Sequence, residues 1–350
     1  MRRLLPVSFL LLSTAAWADV PRVATDIAPV HSLVAQVMAG LGTPDLTIPP
    51  GASPHSYAMR PSEARALAGA DLVVWVGPSL TAWLGDPIET LAADALHLEL
   101  EDVAGTFVLE NRTGVAFEVH DHADDDAGHD DQADDAGHDD QADDAGHDDH
   151  ADEAGHDDHA DEAAHDTHDT QEGHDHAAGA IDPHLWLDPV NASLWLGAIS
   201  DALGQIDPDN AQTYAANAAK GQAELAGLQT RIQAQLAPVQ GRPFAVFHDA
   251  YHYFEARFGV EASAALSLSD GSAPSAARLD DVRDVVQSIN AVCVFTEPQF
   301  NPGLVAALAD GRSLKSAPLD PLGAGLTPGP ALYGEVIQGL AAAFTGCLAE

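Results

Sequence analysis

A histidine- and aspartate-rich tract from His120 to His176 limits how this chain can fold. It contains 24 acidic residues, 12 histidines and no lysine, arginine or aromatic residue. The nine-residue pattern A-G-H-D-D-Q-A-D-D recurs through it in closely similar copies. Because the tract has no large apolar side chain to bury, burial cannot offset the entropy lost when its backbone becomes ordered. We therefore expect a disordered insert, with the hydrophobic core built from the segments on either side.

The side chains of this tract indicate metal binding. Imidazole and carboxylate groups at this density form a flexible ligand for Zn²⁺, Cu²⁺ or Ni²⁺. The alternative is a solvated acidic spacer, for which aspartate and glutamate alone would suffice. Histidines that keep the nine-residue register favour the metal-binding interpretation over the spacer. A disordered tract imposes no coordination geometry, so it does not select one metal.

Outside the tract the composition is that of an ordinary acidic protein. The formal net charge is -41, and the tract contributes 24 of these negative charges. The 14 lysine and arginine residues form no basic run, which argues against nucleic acid as a partner. The natural partners of such a chain are metal cations.

The N-terminus has the features of a signal peptide over residues 1–18. Basic residues are followed by an apolar stretch from Leu4 to Thr14 and by an Ala16-Trp17-Ala18 cleavage motif, so we expect export and cleavage near Ala18. No later apolar run reaches the roughly 18 residues that a membrane-spanning helix needs. The two cysteines, Cys293 and Cys347, favour one disulfide in an oxidising compartment; a zinc thiolate site is the less favoured alternative.

Short apolar runs alternate with helical patterns on both sides of the tract, which predicts parallel sheets covered by helices. A long helical pattern over residues 210–236 would extend about 40 Å and is interpreted as a strut between two lobes. The predicted fold is α/β: two parallel-sheet lobes joined by one long helix, with a disordered His/Asp-rich insert. The predicted divisions are 1–18 signal peptide, 19–117 N-terminal lobe, 118–178 metal-binding loop, 179–207 end of the N-terminal lobe, 208–237 linking helix and 238–350 C-terminal lobe.

Three histidines lie at predicted strand ends or in the adjoining loops: His55, His184 and His248. Ligands of parallel α/β lobes bind beyond the carboxyl ends of the strands. Each histidine alone would more often be an ordinary loop or core residue. Together they predict a three-histidine metal site whose fourth position is taken by water or a carboxylate, with Asp320 as the best carboxylate by position. Nitrogen ligands favour zinc over manganese, which prefers more oxygen.

Six sequence motifs resemble one protein family. The segments, in order, are G-A-S-P-H-S-Y, A-D-L-V-V-W-V-G-P, D-P-H-L-W-L-D-P, V-F-H-D-A-Y-H-Y-F-E, F-T-E-P-Q-F and L-D-P-L-G. They are similar to the ZnuA-type zinc-binding proteins of ABC importers, in the cluster A-I group of periplasmic metal-binding proteins. The resemblance covers nearly all of the expected mature chain, insert included.

That resemblance implies two lobes joined by a long helix, with metal between them. It places the ligands on His55, His184 and His248, and the cysteine pair on Cys293 and Cys347. Manganese-type relatives carry a carboxylate at the position of His248, so histidine there supports zinc. The implied function is capture of Zn²⁺ in the periplasm by a non-enzymatic monomer and delivery to the permease of a zinc ABC transporter in the inner membrane.

The sequence departs from the family pattern at the first ligand. Some zinc-binding members have glutamate just before it, where this chain has Pro54, so Asp320 or water must supply the fourth ligand. For His252, four residues after His248, we predict a packing or supporting role.

Two further histidines are expected to have no direct part in the site. His31, near the start of the first helix, is expected either to line the mouth of the cleft or to have a structural or surface role. His97 is expected to be a strand residue without partners.

Two alternative functions remain open from the sequence. One is a zinc chaperone or adhesin without a transporter partner. The other is a zinc hydrolase, for which Glu297 or Asp249 would have to act as the base. The chain contains no H-E-x-x-H motif, which makes the hydrolase the weaker alternative.

Overall fold

A computed structural model describes residues 20–114, 116–117, 180–267, 276–298 and 314–349. The predicted signal peptide, the His/Asp-rich insert and the predicted helix over residues 304–309 lie outside the described residues. The predicted loop over residues 297–302 is described only as far as residue 298. All the elements below belong to the described part of the chain.

The N-terminal sheet consists of four parallel strands in the order β2-β1-β3-β4. Its central strands consist almost entirely of apolar residues and are buried, as a sheet covered on both faces requires. The strands are β1 (Val23–Thr25), β2 (Asp45–Leu46), β3 (Leu72–Trp75) and β4 (Leu96–Glu99), and the helices between them are α1 (Ala28–Val37), α2 (Pro61–Ala68) and α3 (Pro78–Leu91).

The C-terminal sheet repeats this topology, with four parallel strands in the order β6-β5-β7-β8. Its strands are β5 (Phe244–His248), β6 (Ala264–Ser267), β7 (Cys293–Thr296) and β8 (Lys315–Pro318). Strand β6 is not predicted from the sequence, because Ala-Ala-Leu-Ser lacks the β-branched and aromatic residues that signal a strand. Pairing with β5 on a fully buried surface is what makes this segment a strand.

Helices α4 (Pro189–Ile206) and α5 (Ala211–Leu236) lie in sequence between the strands of the N-terminal sheet and those of the C-terminal sheet, and they pack against each other. The 26 residues of α5 extend about 39 Å. Its buried residues recur every three or four positions, from Tyr214 to Leu236, and belong to one core cluster that includes strands of both sheets. The predicted architecture of two parallel-sheet lobes and a long helix is confirmed.

The last helices follow the C-terminal strands: α6 (His252–Phe258), α7 (Ala276–Ser288) and α8 (Leu332–Leu348). A disulfide joins Cys293 at the start of β7 to Cys347 in the last turn of α8, as predicted. None of the helices in the described ranges is both long and apolar enough to cross a membrane.

Two helix boundaries differ from the prediction. Ser62 does not cap α2; the helix begins at Pro61, and the Glu63 carboxylate accepts a hydrogen bond from the Arg60 backbone N–H. From the sequence, helix α3 is predicted only from about Leu80 to Leu84. It continues to Leu91, after a local break at Thr81, because its apolar side chains Leu84 and Ile88 pack into the core.

Candidate metal centre

The structure brings together three of the four residues predicted to bind metal. One ring nitrogen from each of His55, His184 and His248 lies within 4.8 Å of the other two. The ring centroids are 4.9 Å apart for His184 and His248, and 5.6 and 6.1 Å from His55 to these two rings. His184 and His248 are buried, whereas His55 is partly exposed. The group therefore has one side that solvent reaches.

His55 lies in a short 3₁₀ turn, Pro54–Ser56, within what was predicted to be an irregular loop. The proline at the start of this turn has the backbone φ that the turn requires. The indole Nε1 of Trp83, on α3, donates a hydrogen bond of 2.8 Å to the Pro54 carbonyl. The hydroxyl of Tyr57 donates to the carboxylate of Glu63, on α2. Two helices of the N-terminal lobe thus hold the turn that carries His55.

His184 is held by Asp182, a buried carboxylate two residues before it. The Asp182 Oδ1 accepts hydrogen bonds from the His184 backbone N–H at 3.0 Å and from its ring Nδ1 at 2.8 Å. Burial alone would raise the pKa of Asp182, but contacts with His184 and His252 hold that pKa well below its usual range. An ionised carboxylate can only accept, so Nδ1 carries the proton and Nε2 keeps its lone pair. Asp182 thereby selects the ring tautomer that can bind a metal through Nε2.

His252 shares this carboxylate. Its Nδ1 lies 3.6 Å from the other oxygen of Asp182, and its side chain is about a quarter exposed. The ring is not a member of the three-histidine group among the described residues. This position behind His184 is compatible with the supporting role predicted for it.

His248 ends strand β5 and also has a carboxylate near its Nδ1. The Oε1 of Glu297, the residue after β7, lies 3.3 Å from that nitrogen, and both side chains are buried. Burial first, and then Glu297 and Asp320, raise the pKa of the nearby Tyr251 hydroxyl well above its usual value, so Tyr251 stays neutral. From the sequence, Glu297 was considered only as a catalytic base, and its contact with His248 was missed. Its position after a parallel strand was the signal for a role at the site.

Asp320 is not part of the group within the described residues. Its Oδ1 accepts hydrogen bonds from the backbone N–H groups of Leu322 and Gly323, at 3.2 and 2.8 Å. These contacts close the loop after β8. Its role as a fourth ligand stays a prediction.

The other two histidines considered from the sequence have partners of their own. His31 is buried in α1, and its Nε2 lies 3.1 Å from the Pro44 carbonyl; burial lowers its pKa. This burial and the contact with Pro44 support the structural role considered for it. The expectation that His97 lacks partners was wrong, because its Nε2 lies 2.8 Å from the Ala92 carbonyl.

Three imidazoles, two of them backed by carboxylates, are a donor set suited to a borderline divalent cation such as Zn²⁺. Nitrogens that bind one tetrahedral ion at about 2.0–2.1 Å are about 3.4 Å apart. The observed limit of 4.8 Å exceeds that separation by about 1.4 Å. To bind one tetrahedral ion, the ring nitrogens would have to move closer together by up to about 1.4 Å.

Comparisons with known proteins give matches over nearly the whole chain. The family model ZnuA, zinc-uptake complex component A periplasmic, matches residues 23–347. The High-affinity zinc uptake system protein ZnuA of Paracoccus denitrificans (strain Pd 1222) is 48% identical over 341 residues, which cover 96% of this chain and 95% of that protein. The protein of the same name from Brucella suis biovar 1 (strain 1330) is 42% identical over 328 residues, 94% of this chain and 92% of that one.

Among solved structures, the crystal structure of a 138-173 ZnuA deletion mutant plus zinc bound is similar, with a TM-score of 0.68. The alignment covers 95% of this chain and 99% of that chain at 20% sequence identity. At this level of identity the similarity supports the fold alone.

Proposed function

This chain belongs to the ZnuA family of periplasmic zinc-uptake components, and on that premise we propose that it captures Zn²⁺ at His55, His184 and His248 and delivers the ion to the permease of a zinc ABC importer. The observation that carries the proposal is the convergence of three ring nitrogens within 4.8 Å from separate parts of the chain. The carboxylates of Asp182 and Glu297 support it, because such partners orient metal-binding imidazoles.

The fourth position of the ion is proposed for water or Asp320. Water needs no rearrangement of the loop after β8. Asp320 would bind through Oδ2, whose contact with the Gly325 N–H is 3.5 Å long, because Oδ1 already accepts two backbone hydrogen bonds. An Asp320→Asn variant distinguishes the two: unchanged zinc affinity supports water, and a loss of about tenfold or more supports the carboxylate.

The experiment that tests the proposed site is a zinc titration in competition with a strong chelator, so that only the tight site is measured. Single substitutions His55→Ala, His184→Ala and His248→Ala should each weaken this site by at least about a hundredfold, because each removes one of three protein ligands. His97→Ala is the matched control, since its ring bonds a backbone carbonyl outside the group. Retention of tight binding in the three variants would refute the site.

Delivery to a transporter is tested in cells. A strain lacking this protein should grow poorly under zinc limitation and should recover with the wild-type chain, but not with the His184→Ala variant. Normal growth of the deletion strain would instead favour a zinc chaperone or adhesin without a transporter partner.

Catalysis forms no part of the proposal. Asp249, one of the two bases considered for a hydrolase, makes an ion pair with Arg112, and Glu297 lies behind His248. Hydrolysis that depends on zinc bound at the three histidines would contradict this part of the proposal. We also propose that the protein is exported with cleavage near Ala18, which mass spectrometry of the exported protein tests. We further propose that it is a monomer, which sedimentation tests.

The His/Asp-rich tract is proposed as an auxiliary site that binds several ions weakly. Its 12 histidines and 24 acidic residues supply many ligands and raise the local cation concentration. Deletion of residues 120–176 should lower the number of zinc ions bound and leave one tight site. Loss of the tight site on deletion would contradict this role.

A further inference from the structure

The segment that leads into the tract crosses from one lobe to the other. At its start, the Phe107 backbone exchanges hydrogen bonds with the side chain of Asn191, on α4. At its end, Ala116 forms an antiparallel bridge with Ala264 on β6, the edge strand of the C-terminal sheet, and the Phe117 N–H donates to the Ser263 carbonyl. Residues 107–114 and 116–117, which we call the crossing segment, thus touch both lobes.

Arg112 is the charged residue of the crossing segment that enters the C-terminal lobe. Its guanidinium is largely buried; the Nε is 3.1 Å from both oxygens of Asp249, and Nη1 donates to Glu255 at 2.7 Å. The guanidinium carbon Cζ of Arg112 lies 4.1 Å from the centre of the Phe117 ring. Burial alone would lower the pKa of Arg112, but Glu255 and Asp249 raise it, so the group stays charged.

The position of Asp249 links this ion pair to the metal group. Asp249 directly follows His248, and the turn there is tight: the Ala250 N–H donates to the His248 carbonyl at 2.9 Å. The Asp249 N–H donates to Ser267, at the end of β6. Arg112 therefore holds the side chain of Asp249. Asp249 in turn sets the direction of the backbone after His248.

We propose that Arg112 is a positioning residue of the metal site, acting through Asp249 to hold His248 in the orientation that binds Zn²⁺. The proposal rests on the ligand set given under the proposed function. It assigns a role in metal retention to the crossing segment, which supplies none of the three proposed ligands and none of the eight strands described above. A planar guanidinium suits this role because its fork fits a carboxylate in one fixed orientation, which a lysine ammonium does not impose.

The choice of substitution follows from the burial of the carboxylates. Burial raises the pKa of Glu255, and Arg112 partly offsets that effect. Removal of the positive charge would leave Asp249 and Glu255 buried side by side and could unfold the lobe. Arg112→Lys keeps the charge and removes the fork, so it tests orientation rather than charge balance.

The experiment measures zinc release from the full mature chain loaded with one equivalent of zinc and mixed with excess EDTA. Arg112→Lys and Asp249→Asn should each accelerate release about tenfold, and the double variant should release no faster than the single variants. The visible spectrum of one equivalent of Co²⁺ should shift in the same variants, because it reports ligand geometry.

Arg257→Lys is the matched control. Arg257 makes a similar two-pronged ion pair with Asp188, which caps α4 and lies four residues beyond a ligand rather than next to one. The control should lower the unfolding temperature of the metal-free protein by as much as Arg112→Lys, yet change zinc release by less than about twofold.

Three results would overturn the role of Arg112: unchanged release in Arg112→Lys, equal acceleration in Arg257→Lys, or additive effects in the double variant. These results differ from failure of the ligand set itself, which would appear as tight zinc binding in His184→Ala.

Discussion

At the scale of single residues, the carboxylates behind the histidines have the clearest consequences. Asp182 accepts from the ring Nδ1 of His184 and so leaves Nε2 free to bind a metal. Asp182→Asn keeps the shape of this side chain but removes its charge. We expect zinc affinity to fall about tenfold, as for other carboxylate partners of metal-binding histidines.

Chelator competition measures the change in affinity, and Asp201→Asn, on the exposed surface of α4, is its control. Equal affinity in Asp182→Asn and in the wild type would show that the carboxylate does not set the tautomer of His184.

The buried residue Asp26 makes the stability of the fold depend on pH. Its buried carboxylate accepts from the backbone N–H groups of Ile27 and Val76, and burial raises its pKa from 3.8 to about 6. The folded chain therefore holds this proton more tightly than the unfolded chain, and stability is lost as pH rises from about 4 to 6. Asp26→Asn removes the titration.

The unfolding free energy of the Asn variant, relative to wild type, should rise by about 2 kcal/mol between pH 4 and 7. Urea unfolding of the metal-free proteins at both pH values measures this difference. Parallel pH profiles for the two proteins would contradict the prediction.

At the scale of secondary structure, the packing of α5 against α4 depends on a small residue. A Cβ added to Gly221 would lie 2.8 Å from Leu196 Cδ1 and 2.9 Å from Gln36 Oε1. Gly221→Leu should therefore destabilise the protein by about 1–3 kcal/mol through overpacking. Urea unfolding of the metal-free protein measures the loss.

Gly227, on the same helix, supplies the comparison. An added Cβ there would meet only the flexible end of Arg231, at 3.3 Å. Gly227→Ala should stabilise the helix by up to about 1 kcal/mol. Equal effects at the two glycines would mean that α5 does not pack closely against α4.

At the scale of the whole molecule, strand β7 runs from the disulfide to the three-histidine site. Cys293 begins β7, while Glu297 follows the end of that strand and contacts His248. Replacement of both cysteines by alanine should lower the unfolding free energy by about 2–4 kcal/mol, because the bridge closes a loop with a sequence separation of 54.

The same replacement should change zinc affinity by less than about threefold, because four strand residues separate the bridge from the site by about 13 Å. Calorimetry and chelator competition on the same samples test both statements. A large loss of affinity would show that the bridge also supports the site.

Local sequence patterns were enough to predict the alternation of strands and helices, the long α5, the cysteine pair and the three candidate histidine ligands. These features depend on local patterns: apolar runs, helical periodicity, and residues placed just after strands. The position of these histidines after strands already predicted a shared metal site, and the resemblance to a known family assigned the same three residues as ligands. Strand β6 escaped prediction because its Ala-rich sequence carries no local strand signal, and only its burial beside β5 makes it one.

Which side chains support the histidines could be seen only in the tertiary structure. Asp182 lies two residues from His184, but Arg112 and Asp249 are 137 residues apart, and no local pattern links them. Such pairs depend on how two lobes and a crossing segment pack, which is a property of the complete fold. Local periodicity therefore determined the elements of this protein, whereas the orientation of the histidine rings depends on contacts between residues distant in sequence.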